Sequence, residues 1–135
     1  MKKYLILFCN LALLIGCLDK QPNNDEDKKN RLYLKELRAN GKTIEWFYYS
    51  LIGDVTADYI LLYDPVNNKN DTIVNSTNIK DVSFSNNEII LSFYGKPKIY
   101  QNSISIKKNV AGLNIKVDTT AVSSGPIVRK FYQKK

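Results

Sequence analysis

Two short turns set the terms on which this chain folds. Asn40-Gly41 and Asn86-Asn87 each separate two runs of strand-forming residues. Asn-Gly is the strongest two-residue hairpin signal, because both positions accept the positive φ that a type I′ turn needs. Behind the first turn stands Thr43-Ile44-Glu45-Trp46-Phe47-Tyr48-Tyr49, dense in β-branched and aromatic side chains. Around the second, residues 79–85 and 88–94 form the clearest hairpin in the chain, with Ile89, Leu91 and Phe93 on one face.

Shorter runs continue the pattern. Residues 55–63 carry apolar groups on both faces, Tyr59, Leu61 and Tyr63 on one and Ile60 and Leu62 on the other, as a central, doubly covered strand does. A weak strand is expected over 72–74 and a longer one over 99–107. Leu113, Ile115 and Val117 alternate with Asn114, Lys116 and Asp118, which marks one wet face over 113–119. A last strand is expected over 127–132. In all, roughly seven to nine strands with turns every eight to twelve residues predict an all-β fold, a single antiparallel β-sandwich or small barrel. Residues 31–39 are ambiguous. Strand is the favoured reading, but Leu32, Leu34, Leu37 and Ala39 among good helix formers also allow a short N-terminal helix.

The globular domain is expected over residues 31–135. Residues 18–30 are polar and nearly devoid of apolar side chains, so they bury too little surface to order themselves. As a flexible tether of that length they have a root-mean-square reach of roughly 20 Å. Residues 1–16 begin with Lys2 and Lys3 and continue as an apolar run from Leu5 to Gly16, broken by Asn10. At about a dozen residues that run is too short to span a bilayer as a helix, which takes roughly 20. It reads instead as a signal segment.

The run ends on Leu14-Ile15-Gly16-Cys17. This resembles the lipobox of bacterial lipoproteins. The resemblance covers the first 17 residues and implies cleavage before Cys17, a diacylglyceryl thioether on its sulfur and an acylated amino group. Two or three acyl chains, each buried methylene contributing about 0.8 kcal/mol, would anchor the chain permanently. Leu18, where the enterobacterial sorting rule would need aspartate for inner-membrane retention, inclines the expectation toward the outer membrane. The location implied is the bacterial cell envelope, lipid-anchored.

Composition then narrows the chemistry. The chain has two cysteines and no histidine. Cys9 would leave with the signal and Cys17 would be acylated, so no disulfide and no free thiol remain. Ser-His-Asp and Cys-His machinery is excluded, as is any zinc or copper site built on His or Cys. No cofactor and no metal is expected. Asp54, Asp58 and Asp64 are the carboxylates that sequence offers for hydrolysis, but turn capping and surface charge explain them better. The formal charge is +7. Such a surface suits anionic headgroups, acidic polymers or an acidic protein. Nucleic acid is not expected as a partner at an envelope address.

The expected partners are therefore the membrane, through the lipid, and a protein or anionic surface polymer. The preferred contact segment is Tyr94-Gly95-Lys96-Pro97-Lys98-Ile99-Tyr100, which mixes aromatic and basic residues around a break between strands. Tyr94, Lys96, Lys98 and Tyr100 are its contact candidates. Trp46 and Tyr48 are added because one face of their strand should be core and the other a candidate aromatic platform. Thr72 in Asp71-Thr72-Ile73 and Thr119 in Asp118-Thr119-Thr120 resemble the O-glycosylation signal of Bacteroidota envelope proteins. Asn70 and Asn75 match the N-glycosylation sequon, a modification that would be rare on a bacterial lipoprotein.

Two functions fit these features. The first is a non-enzymatic binding module on a lipid anchor. The alternative is an inhibitor or immunity lipoprotein that neutralises an envelope-acting enzyme or toxin. A net basic domain would then meet an acidic target.

Overall fold

The computed structural model describes residues 28–50 and 56–125. The lipobox with Cys17, Asp54 and the strand expected over 127–132 lie outside the described residues. Ten strands are present among them: β1 (Arg31–Ala39), β2 (Lys42–Tyr49), β3 (Asp58–Asp64), β4 (Lys69–Ser76), β5 (Ile79–Ser85), β6 (Glu88–Tyr94), β7 (Lys98–Ile99), β8 (Asn102–Ser103), β9 (Asn109–Val110) and β10 (Leu113–Ala121).

They form two four-stranded sheets and a two-stranded ribbon. The first sheet is an antiparallel meander, β1-β2-β3-β4, and the second has the order β5-β6-β10-β9. The sheets share one core, and among the described residues no closed barrel forms. Ile44, Ile60, Leu62, Ile73 and Val74 of the first sheet pack with Ile79, Val82, Ile89, Leu91 and Phe93 of the second, joined by Val110 and Leu113. A wholly buried Leu or Phe of this kind contributes about 2 kcal/mol by area.

Both expected hairpins are present. Asn40 and Gly41 have φ of 50° and 75°, and Asn86 and Asn87 have 51° and 64°, the two positive values of a type I′ turn. The tips of these hairpins meet, with Asn40 Nδ2 donating to Asn87 Oδ1. Lys35 on β1 reaches Asp81 on β5 at 2.7 Å, a second tie between the sheets at the same edge.

Residues 31–39 are a strand. The helical look of this segment has a cause. The β1–β2 register shifts between Tyr33 and Lys35, so Leu34 is extra and the alternation changes parity. A second bulge in β4 makes Ile73 extra between Val74 and Thr72, which is why two consecutive residues, Ile73 and Val74, are both buried. The weak strand expected over 72–74 is eight residues long.

β3 is the central strand that its two apolar faces predict. Ile60 and Leu62 enter the main core. Leu61 and Tyr59 join a second cluster on the outer face of the first sheet, with Tyr33, Phe47 and Tyr49. Phe47 stacks on Tyr59 at 5.7 Å and meets Tyr49 edge-on at 5.5 Å. The Arg31 guanidinium lies 4.3 Å from the Phe47 centroid, a cation–π contact that helps to close this face.

Two features differ from the expectation. β10 pairs with β6 in parallel, from Asn114↔Glu88 to Ala121↔Tyr94, so the second sheet is mixed. The strand expected over 99–107 is replaced by β7, β8 and an unpaired stretch. Ile104 and Ile106 still face the core, so their alternation reports burial of side chains without a neighbouring strand.

Candidate contact surface

Strand directions sort the molecule into two ends. The turns at 40–41, 65–68, 86–87 and 111–112 lie at one. The start of β1, the link between sheets at residues 77–78 and the segment 94–103 lie at the other. A single transverse row shows this second end: Leu32 pairs with Tyr48, Tyr48 with Asp58, and Asp58 with Ser76. Ser76 Oγ then donates to the Lys98 carbonyl at 2.7 Å.

Three consecutive polar residues build this end. Asn78 is 3% exposed, and its amide is hydrogen-bonded through both its nitrogen and its oxygen. Nδ2 donates to the carbonyls of Tyr94 at 2.8 Å and Lys96 at 2.9 Å. Oδ1 accepts from Lys98 N at 3.0 Å, and the Ser76 hydroxyl, whose one proton is within reach of both Oδ1 and the Lys98 carbonyl, lies 2.9 Å away. Thr77 adds its backbone N–H to the Lys98 carbonyl at 2.9 Å, and its Oγ1 accepts from Tyr100 N at 3.0 Å. A buried amide with both donors used and its oxygen accepting from the Lys98 backbone holds the surrounding loop to one shape.

The loop so held displays the expected contact residues. Lys96 and Lys98 are exposed and Tyr94 is half-buried. Tyr100 is 58% exposed, one of the few large hydrophobic residues presented to solvent. It occupies the first of the two turn positions between β7 and β8 with φ of +53°. Glycine is the residue such a position favours. An L-residue there is strained by roughly 1–2 kcal/mol, and strain of this kind collects at functional sites.

The aromatic platform falls out differently. Trp46 packs against the main core and its Nε1 donates to Asp58 Oδ2 at 3.1 Å. Tyr48 is half-buried on the transverse row. The opposite face of β2 holds Phe47, wholly buried. Both faces of this strand are covered, so Trp46 does not present a platform. Thr72 and Thr119 are both exposed, Thr72 on β4 at the edge of its sheet.

The expected carboxylates do not gather. Asp58 and Asp64 close opposite ends of β3, about 20 Å apart at the strand rise of roughly 3.3 Å per residue. Glycoside hydrolysis needs two carboxyl groups about 5–10 Å apart. Asp64 caps its turn. Its Oδ1 accepts from Val66 N at 3.0 Å, and its Oδ2 takes Lys42 Nζ at 2.7 Å and Asn67 Nδ2 at 2.9 Å. Lys42, followed by Asn67, holds this carboxyl down to about 2. The Thr120 backbone N–H and hydroxyl lower that of Asp118 in the same way.

One acid pair was invisible in the sequence. Glu36 and Glu45 stand directly opposite on β1 and β2, in a groove of about 310 Å³ on the outer face with Arg31, Arg38, Thr43 and Tyr63. Each has its own counter-ion, Arg31 at 3.6 Å from Glu45 and Arg38 at 4.0 Å from Glu36. Neutralised pairs of this kind offset the repulsion between like charges facing across strands. Among the described residues no three acidic side chains gather as metal ligands do.

Comparison with known proteins gives no matching family model, no matching curated protein and no matching solved structure.

Proposed function

We propose that this chain is an envelope lipoprotein, anchored through acylated Cys17, whose β-sandwich acts as a non-enzymatic binding module. The observation that carries the binding reading is Tyr100. The fold keeps an exposed aromatic side chain at a backbone position that favours glycine, and it fixes the loop beneath with a buried amide that bonds three of its backbone groups. Neither feature adds to the core. A pre-shaped loop loses little freedom when it meets a partner. Lys96 and Lys98 beside it supply positive charge for an anionic one.

The lipobox carries the anchor reading. Labelling with palmitate and fractionation test it directly. The chain should incorporate label and enter the membrane fraction, and Cys17→Ser should do neither. Retention of both by Cys17→Ser would refute the anchor. The binding reading is tested by recovery from envelope extract with the full chain, compared with Tyr100→Ala. Equal recovery of the same partner by both chains would remove the loop from consideration.

The rigidity of the loop also favours the second reading, an inhibitor or immunity lipoprotein that inserts a fixed loop into an enzyme cleft. Recovery of a single acidic enzyme, whose activity falls on adding this protein, would select it. Loss of a hydrolytic activity in Asp58→Asn or Glu45→Gln would overturn both readings.

A further inference from the structure

The end of the sandwich that carries the loop is also the end where the chain comes in from the tether. Arg31 opens β1 at the height of Tyr49, and Ser50 N donates to the Asn30 carbonyl at 3.1 Å. From there the row Leu32, Tyr48, Asp58, Ser76 runs across the first sheet to Lys98. Three strand spacings of about 4.8 Å separate Leu32 from Ser76, so the loop stands roughly 20 Å to the side of the tether at the same level. The ten residues between Cys17 and Lys28, as a flexible coil, would reach roughly 17 Å. A domain held by Cys17 on such a tether therefore keeps this end nearer the bilayer than the end with turns 40–41 and 86–87.

Charge agrees with that placement. Among the described residues the exposed cations at this end are Lys96, Lys98 and, one position into β5, Lys80, which lies near Asp118. Lys28 and Lys29 are exposed too, but Asp25, Glu26 and Asp27 precede them in the tether and offset their charge. Among the described residues the acids of this end are engaged: Asp58 is 3% exposed beneath Trp46, Asp81 is paired with Lys35, and Asp118, level with Asp81 on the other side of Ser92, accepts from the Thr120 backbone N–H and hydroxyl. Tyrosine completes the set, since its ring and hydroxyl suit the boundary between acyl chains and headgroups.

We infer that the loop Tyr94–Tyr100 rests on the anionic phospholipid headgroups of the membrane that holds the anchor, with Lys96 and Lys98 against phosphates and Tyr100 at the interface. This rests on the lipoprotein reading and names the partner of the loop within it. The opposite end, with its four turns, then points away from the bilayer.

Photo-crosslinking in reconstituted vesicles tests it. Benzoylphenylalanine is placed at position 100, or at position 66 in the far turn where Val66 is 89% exposed, in the full chain. Vesicles are phosphatidylcholine with or without phosphatidylglycerol. The expected result is phospholipid adducts at position 100 that increase with phosphatidylglycerol, none at position 66, and a loss of about tenfold in Lys96→Gln with Lys98→Gln. Equal adducts at both positions, no adduct at position 100, or an adduct there to a protein in native envelope vesicles would overturn the inference. Palmitate on Cys17 is read on the same sample. Palmitate without adducts at position 100 sinks the headgroup contact alone, whereas adducts without palmitate sink the anchor and leave the contact standing.

Discussion

Asn78 and Lys98 are twenty residues apart, and the amide of one replaces a strand partner for the other: Lys98 N donates to Asn78 Oδ1 at 3.0 Å while Ser76 and Thr77 hold the Lys98 carbonyl. The Asn78 side chain thus does for the 94–100 loop what a neighbouring β-strand does elsewhere. Asn78→Ala strips the amide's bonds to Tyr94, Lys96 and Lys98 and leaves the part-buried carbonyls of Tyr94 and Lys96 without their donor. A loss of about 3 kcal/mol is expected, read as a lower urea midpoint. Asn78→Asp should be at least as damaging, because a carboxylate would face those two carbonyls. A cost under about 1 kcal/mol for both would show that the loop holds itself.

Tyr100→Gly separates stability from contact. Glycine takes φ of +53° without strain, although it also gains freedom in the unfolded chain. The variant should melt no lower than wild type, with a change of about 0–1 kcal/mol on the stabilising side, and should lose the loop contact. A clear drop in melting temperature would mean that the Tyr100 ring is part of the fold.

Acid should find Asp64 first. Its carboxyl is held at about 2 in the folded chain against an ordinary aspartate value of 3.8. A lowered folded value contributes stability that is fully present above the unfolded value and is lost as pH falls through the folded one. Urea midpoints measured between pH 5 and pH 2 should therefore fall for wild type, and more gently for Asp64→Asn. Parallel curves for the two chains would assign the acid sensitivity elsewhere.

Trp46→Phe keeps the ring in the core but removes the donor to Asp58 Oδ2. With Asp58 only 3% exposed, the loss of one hydrogen bond to a buried carboxylate should cost about 2 kcal/mol. Vesicle contact should be unchanged, because Trp46 faces the core. Reduced contact at wild-type stability would return Trp46 to the binding surface.

What could be read in advance follows from range. The Asn40-Gly41 and Asn86-Asn87 hairpins are written in neighbouring residues, and β5, β6 and most of β2 lie where alternation places them. The exposed Lys96, Lys98 and Tyr100 were legible for the same reason, as a polar break between apolar runs. Alternation cannot say which strand lies beside which. Leu113, Ile115 and Val117 show a buried side that fades, with Val117 38% exposed, but not that the strand runs parallel to β6. Likewise Ser76-Thr77-Asn78 looks like an ordinary turn, because the carbonyls that give Asn78 its role arrive from Tyr94 and Lys96. Glu36 and Glu45 are nine positions apart in sequence, and only the register across the 40–41 turn makes them neighbours.

The parallel pairing of β10 with β6 has a consequence for how the chain acquires its shape. The first sheet closes through turns between consecutive strands, so it needs only nearby contacts. The second cannot be finished until residues 113–121 return past β7, β8 and β9 to lie beside β6. Closing that long loop is slow and costs chain entropy. A chain that emerges amino end first would thus carry a formed meander and a half-built second sheet, with one edge of β6 unpaired, until β10 is released. Pulsed hydrogen exchange during refolding should show amides of residues 42–76 protected before those of 113–121. Simultaneous protection would mean that the two sheets assemble as one unit.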